Sequence, residues 1–572
     1  MNKKYIYIMI ISIILIFISC LYILVTDVPS KNKYIDNSQN INIRISKNDY
    51  IEKKIIIKNN NKKENKYEIK INNSNIDKKS VYIQYKLIED NKIIKKGILH
   101  NNHIIGIVSV KSAKKKEYTL RLESINNINH DIIINGLITT NKYKEKEISY
   151  LTSEYGKINH QMIYLANNQK LSKDQNIKKI KVAEKIDEKY KKDEYIVSEK
   201  DSTKPIYMWY ENNVIYFYSE NEISLPNYSD GMFASLENLE DIKDLKYFHT
   251  ENVISMGSMF YNDSNLNNIS ALSYWNTSNV KYMSYMFSRC TELTDVSAIA
   301  AWDISNVETM SNMFFYSGIR TIEPLRFWNT SKLLDMNSIF SESEIKTLNG
   351  LGNWNVKKVK DMSSCFENTR IESLKPLRKW KTSSLEKMNY MFSNTRIKNV
   401  DGLENWDVSN VIEMSNTFYL SIKLENINSL KNWNVTKLKK SNEMFYLCTK
   451  LNNISGLKHW NTESLEEIEG MFYRNTSLED LTGLENFKID KVKSLRNLFT
   501  GVKVKDTKYL EKWNTSNVEN MDNIFAYTKI NNTKGIDNWN IVNLRSAQNS
   551  FEKTTSQPKW NGTFDNDGTF VK

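Results

Sequence analysis

Tryptophan recurs at positions 275, 302, 328, 354, 380, 406, 433, 460, 513 and 539, and Phe248 and Phe487 fill the two missing beats, so the spacing is always 26 or 27 residues. Twelve residues after each of these positions stands a phenylalanine, from Phe260 and Phe287 through to Phe525 and Phe551. All variation in length falls between that Phe and the next Trp. A dozen coincidences at one offset leave one class of solution, a solenoid whose units bury their apolar faces only against their neighbours. The three or four ordinary globular domains that 572 residues would suggest therefore do not apply.

The unit running from Trp302 to Phe314 can be read residue by residue. Val307, Met310, Met313 and Phe314 fall at i, i+3, i+6 and i+7, which predicts one face of a short helix. Ser305 stands where an N-cap hydroxyl would accept a helix N–H. Asp303, like Asn at the same place in other units, suits a turn, because its side chain can bond the local backbone. The run Leu293-x-x-Val296-x-x-Ile299-x-x-Trp302 has the spacing of a leucine-rich-repeat strand with its flanking turn. One short strand and one short helix per unit, stacked at about 4.8 Å, would give a parallel sheet roughly 55–60 Å along its arc.

The wording of the unit, Trp275-Asn276-Thr277-Ser278-Asn279-Val280-x-x-Met283-x-x-Met286-Phe287, resembles the BspA-like surface repeat, also catalogued as DUF285. The resemblance covers residues 205–560. Lys204 to Tyr210, Ile215 to Tyr218 and Met232-Phe233 resemble that family's N-terminal cap, and Pro558-Lys559-Trp560 its C-terminal close. Later units depart from it: Ser441, Ile468, Leu495 and Ala547 replace the first Met, and Ser550 the second. Weaker packing toward the C-terminal end is the expected result. The resemblance implies an exported or surface-attached, non-catalytic protein of the adhesin kind. The implied partners are host or bacterial surface proteins or matrix.

At the other end, Lys3 and Lys4 precede an apolar run from Tyr5 to Val25, closed by Asp27-Val28-Pro29. About 20 apolar residues span the roughly 30 Å hydrocarbon core, and the flanking lysines hold the N-terminus inside. Residues 1–30 are read as an uncleaved signal anchor with the rest of the chain extracellular. The alternatives are a lipoprotein, with Cys20 lipidated after Phe17-Ile18-Ser19, and cleavage with release. Residues 40–145 break into eight β-rich runs: Ile41–Ile45, Lys54–Lys58, Tyr67–Ile71, Val81–Ile88, Lys92–Leu99, Ile104–Val110, Glu117–Glu123 and Asp131–Thr139. They predict an immunoglobulin-like β-sandwich. Residues 146–203 read as a charged, partly helical spacer. Then follow the cap at 204–247, the repeats at 248–560 and a tail at 561–572. The expected fold is thus multidomain: a transmembrane helix, a β-sandwich and an α/β leucine-rich-repeat-like solenoid of about twelve units.

Net charge is unevenly spread, about +15 over residues 31–200 and about −3 over 201–572. The lysines alternate with apolar residues or sit in mixed runs such as Lys189 to Glu194, which is a solvated face and not a nucleic-acid reading surface. A wall polymer or an acidic membrane would be the natural anionic partner, and a structural envelope component is the alternative function. His100 and His103 lack a third metal ligand and read as a surface turn. Cys290, Cys365 and Cys448 read as small buried hydrophobes. The Asn-x-Ser/Thr triplets read as by-products of the repeat. No nucleophile elbow, zinc-protease, Walker or Rossmann signature occurs, so no catalytic, cofactor-binding or metal residue is nominated and no enzyme is expected. What remains is a mixed-charge ribbon between the apolar beats: Thr294, Asp295, Arg320, Glu323, Arg326, Lys346, Asn349, Glu372, Lys375, Arg378 and Lys398.

Overall fold

The structure, a computed structural model, describes residues 38–45, 50–58, 64–76, 83–98, 103–111, 114–124, 132–142, 147–167 and 176–571. The apolar run from Tyr5 to Val25, Cys20 and His100 lie outside the described residues, within which no helix is long and apolar enough to cross a membrane. The chain divides into two compact units, Met1–Glu145 and Lys146–Lys572.

The first unit holds eight strands, one on each β-rich run of the sequence: β1 (Ser38–Ile45), β2 (Tyr50–Lys58), β3 (Asn65–Ile76), β4 (Ile83–Glu89), β5 (Lys92–Ile98), β6 (His103–Val110), β7 (Lys115–Ser124) and β8 (Ile132–Lys142). They form two four-stranded sheets, β1-β8-β3-β6 and β2-β7-β4-β5, with every neighbouring pair antiparallel. Alternation sends Ile69, Ile71, Val108 and Val110 of one sheet, and Ile55, Ile57, Tyr85, Leu87, Tyr118, Leu120 and Leu122 of the other, into one shared core. Neither sheet closes into a barrel.

The second unit is repeat-rich and mostly non-helical. The helix expected over Val307–Phe314 is not formed. In each of thirteen turns, the residues two before and two after the core Phe have positive φ, from Gly231 and Ser235 around Phe233 to Asn549 and Lys553 around Phe551. A right-handed helix cannot contain them. The chain instead makes interlocked β-turns (Met313 N–H to Met310 O, Phe315 N–H to Asn312 O) whose alternate N–H groups leave the turn altogether. Met310, Asn312, Phe314 and Tyr316 donate to Asp335, Asn337, Ile339 and Ser341 of the next turn at 2.8–3.1 Å. Turns stepping three to four residues return side chains to one face much as a helix does, which is why the spacing misleads.

The expected strand is likewise reduced to isolated parallel bridges, such as Asn399 to Asn426 to Asn453, and a second line of bridges, Tyr282 to Thr309 to Asp335 to Asp361, runs through the stretch expected to be helix. Short 3-10 helices such as Glu323–Phe327 and Lys375–Lys379 lead into the Trp in many turns. Met232-Phe233, read as part of the cap, has the turn geometry and inter-turn bonds of the repeat although Asn221 stands at its Trp beat, so turns around a core Phe number thirteen among the described residues.

The phenylalanines form one column, with neighbouring rings 5.4–6.0 Å apart from Phe233 to Phe551. It runs unbroken through the units with Ser441, Ile468, Leu495 and Ala547, all buried. Each core Phe from Phe233 to Phe525 donates its N–H to the residue before the next core Phe. A second line runs the other way, Lys281 N–H to Ile254 O and Glu308 N–H to Lys281 O, so each end of the stack would be left with backbone groups that need partners, and both ends need covers.

Residues 146–203, expected to be a spacer, supply the first cover. β9 (Ile148–Tyr150) pairs with β13 (Glu222–Ser224), which also pairs with β14 (Phe248–His249). β10 (Lys179–Val182) joins β12 (Val214–Tyr218), itself paired with β11 (Tyr207–Glu211). Helix α1 (Lys157–Ala166) buries Ile158, Met162 and Ala166, and Asn159 Nδ2 donates to Ala234 O at 2.8 Å. Tyr190 stacks on Trp209 at 5.0 Å. The charge run hid these apolar anchors because they are spaced singly among lysines.

Residues 561–572, expected to be a tail, supply the second cover. The hairpin of β15 (Thr563–Phe564) and β16 (Phe570–Val571) accepts the last turn's donors, Phe551 N–H to Gly568 O at 3.1 Å and Asn549 N–H to Thr569 Oγ1 at 2.9 Å. Phe564 and Phe570 pack on Phe551 and Trp560.

Candidate binding surfaces

Each letter of the Trp-Asn-Thr-Ser-Asn-Val motif has a structural use. All ten tryptophans from Trp275 to Trp539, and Trp560, donate the indole N–H to a main-chain carbonyl of the preceding turn at 2.8–3.3 Å. The Asn or Asp that follows accepts the N–H two residues on, as in Ser278 to Asn276 and Ser305 to Asp303, both 3.1 Å. That is the expected local turn; Ser305 caps nothing, since no helix follows. The buried Thr donates to the next turn, Thr277 to Asp303 O at 3.0 Å and Thr382 to Asp407 O at 2.9 Å. The second Asn reaches back, Asn306 Nδ2 to Ser278 O at 2.7 Å. Val280, Met283, Met286 and Phe287 are fully buried.

Cys290, Cys365 and Cys448 are buried and unpaired, and each points its thiol at a main-chain carbonyl of a preceding turn at 3.0–3.1 Å. Burial pushes all three thiols up, away from a reactive thiolate. Among the described residues no group of His, Cys, Asp and Glu is placed to hold a metal ion.

The mixed-charge ribbon is where the sequence put it. Thr294, Asp295, Arg320, Lys346, Asn349, Glu372, Lys375, Arg378 and Lys398 are exposed, and Glu323 and Arg326 are half-buried. It does not converge on a site. Arg326 faces Glu323 at 3.7 Å, Arg378 pairs with Glu404 at 2.9 Å, and Asp295 accepts the Ser297 N–H. Part of the face six residues after the Trp beat is paired in the same way. Lys360 meets Glu386 at 3.0 Å, Lys439 meets Glu466 at 3.1 Å, and Glu519 takes both Lys493 and Arg545. Exposed pairs like these are worth little.

A third face was missed. Immediately after the core Phe, three successive turns carry Tyr419, Tyr446 and Tyr473, stacked at 4.9 and 4.5 Å with their planes within 16°. Tyr390 crosses the near end at 6.4 Å and 61°, and the Arg474 guanidinium lies 5.4 Å over Tyr473 at the far end. Burial, the flanking tyrosines and Glu443 push the Tyr446 phenol up to about 12. Beside the column, Leu420 and Leu447 hold φ of 55 and 54, and Ile422 is 51% exposed. The signal was in the sequence as the dipeptides Phe418-Tyr419, Phe445-Tyr446 and Phe472-Tyr473. A smaller aromatic group stands nearer the start, where Arg289 lies 5.8 Å from Phe315 and 5.9 Å from Tyr316.

No curated protein and no solved structure matches the chain. The family described as Mycoplasma protein of unknown function, DUF285, matches it in four overlapping segments, residues 228–345, 315–400, 369–482 and 467–566. These segments coincide with the stacked turns from Tyr228 to the closing hairpin, more than half of the whole chain, and the chain accordingly belongs to the DUF285 family.

Proposed function

We propose that this is a surface-displayed, non-catalytic repeat protein that binds surface proteins or matrix of a host or of other bacteria, an adhesin-like role. In this reading the stacked turns are a leucine-rich-repeat-like solenoid and the eight-stranded unit an immunoglobulin-like sandwich. The run from Tyr5 to Val25 holds both on the outer face of a membrane. The observation that carries the reading is the contrast within each turn. Trp, Thr, Val, Met and Phe are used up in holding neighbours together, while the positions around the core Phe change chemistry from turn to turn at constant backbone. A scaffold with fixed core and free faces is suited to display.

A second reading, an envelope component that binds anionic wall polymer, draws on charge. Residues 1–145 hold 26 Lys and Arg against 13 Asp and Glu, and 146–572 hold 54 against 54, so the first unit accounts for the entire +13. The test is binding of residues 31–145 and 146–572 to matrix proteins, host cells and isolated bacterial walls. Saturable binding of 146–572 to cells or matrix supports the first reading. Binding confined to 31–145, to walls, and abolished by salt would replace it with the second.

A further inference from the structure

We propose that the tyrosine column from Tyr390 to Tyr473 is the docking surface for an extended segment of a partner protein bearing lysine or arginine. This rests on the binding reading above and names the chemistry of the partner.

Three features of the face carry it. The first is a left-handed backbone occupied by a half-buried leucine in two successive turns. Two residues after the core Phe the chain is left-handed in every turn, and most turns meet that with Asn, Gly or a charged residue, such as Asn262, Asn368, Asn394 or Gly501. Leu420 and Leu447 are the aliphatic exceptions, in two successive turns, each beside a stacked tyrosine. The repeat imposes that conformation in every turn, and leucine, which resists it, gains nothing from it by itself, so its choice in two successive turns points to a use of the side chain.

The second is uncompensated negative charge. Glu443 lies three residues before Tyr446, and Asn416 Nδ2 donates to it at 2.9 Å; burial first, and behind it the charge of Glu443, raises the phenol pKa of Tyr390, Tyr419 and Tyr446. Glu367 stands at the Tyr offset two turns before Tyr419. Neither carboxylate has a Lys or Arg within ion-pair distance among the described residues, whereas four on the neighbouring face, Glu386, Glu466, Glu467 and Glu519, do and two there, Glu308 and Glu413, do not. A carboxylate recognises an ammonium or guanidinium by charge, and the exposed ring of Tyr390 at the near end of the stack adds the attraction of the ring quadrupole.

The third is that the chain already does this to itself at one end. Arg474 covers the outer ring of Tyr473. At the other end Tyr390 is 39% exposed and carries no such cover among the described residues. Turn-to-turn spacing near 5 Å lets the column follow a few residues of extended chain at about 3.3 Å each.

The test uses the full chain, with a labelled peptide of alternating Lys and Gly and its Glu counterpart as probes, at physiological salt. The Lys peptide should bind saturably and the Glu peptide should not, although the chain itself carries net positive charge. Glu443→Gln should weaken binding about tenfold, the weight of one charge-assisted hydrogen bond, while keeping the acceptor for Asn416. Leu447→Asn should weaken it several-fold with an unchanged or higher Tm, which separates lost docking from lost fold. No binding of the Lys peptide, equal binding of both peptides, or binding indifferent to both substitutions overturns the proposal. If the full chain still binds cells or matrix in that case, the display reading survives it. If the peptide binds as expected and no cell, matrix or wall does, the docking surface stands and the display reading falls.

Discussion

Phe445 and Tyr446 are neighbours in sequence, and each belongs to a column of parallel rings, yet the two columns differ in length and in surroundings. The phenylalanine column passes through all thirteen turns shielded from solvent, and the parallel tyrosines through three, half-buried, with Tyr390 of the turn before set across their near end. A side chain that every turn needs in order to bury its neighbour recurs in every turn. One that recurs in only a few, at one offset, answers to something other than the stack. The extent of a repeat, and not its mere presence, separates packing from use.

The comparison presumes that the stack depends on its covers and its core and not on its faces. Removing the first cover should therefore have the largest effect. A fragment beginning at residue 201 loses Leu151, Ile158, Met162, Ala166, Ile177, Ile180 and Val197 from the core. At about 1.5–3 kcal/mol for each large side chain, that approaches the whole stability of an ordinary domain. Such a fragment should aggregate or melt far below 146–572 in a thermal scan with light scattering, and equal melting would show that the stack is closed without its cover.

Within the stack the two columns should part sharply. Phe445→Ala opens a hole between Phe418 and Phe472 and should cost about 3–5 kcal/mol. Tyr446→Ala should cost under about 1 kcal/mol, the range of a surface change. Comparable losses in urea unfolding would make the tyrosines a second core. Trp380→Phe should fall between them at about 1–3 kcal/mol, because the Leu351 carbonyl loses its indole donor at 2.8 Å while buried. Phe487, which stands at a Trp beat without an indole, is the internal control, and Phe487→Trp should not destabilise comparably.

Where the cover meets the first repeat turns, His249 lies between Glu222 at 2.6 Å and Glu251 at 3.4 Å, and hydrogen bonds to the two carboxylates lift its pKa to about 9. A raised pKa stabilises the fold fully below the ordinary value near 6.5, and the contribution fades as pH rises through about 9. Partial exposure screens it to the order of 1 kcal/mol. The difference in Tm between pH 6 and pH 9.5 should shrink in His249→Gln, and an unchanged difference would mean that the link between Glu222 and His249 does not stabilise the start of the stack.

How much of this was legible in the sequence follows from what kind of force sets each feature. The period, the buried beats and the eight strands of the first unit were readable, because hydrophobic alternation survives any detail of backbone. The helix over Val307–Phe314 was misread, because the deciding feature is left-handed φ at positions filled by Asn312 and Tyr316, and only Asn hints at it. The covers were misread because the open backbone groups at each end of the stack, which make them necessary, have no signature in side-chain pattern. The mixed-charge ribbon was seen and is paired in part, at Arg326 with Glu323 and at Arg378 with Glu404. The tyrosine face went unseen because a Phe-Tyr pair within a buried run reads as more core.

The finest test of the comparison lies at Leu447. Asn tolerates the left-handed region that leucine resists by about 1 kcal/mol or more. The leucine side chain is half-buried, so removing its apolar surface from the fold takes back part of that gain. The balance should favour Leu447→Asn by roughly 0.5 kcal/mol, read as a small rise in Tm or in the urea midpoint. The same change at Leu420 should behave alike, since its φ matches within a degree and its neighbour is Tyr419. If either variant is instead destabilised by more than about 1 kcal/mol, the leucines are packing residues and the face is an extension of the core. If both gain stability, the stack is keeping two leucines at a cost, and what they offer must lie outside the fold.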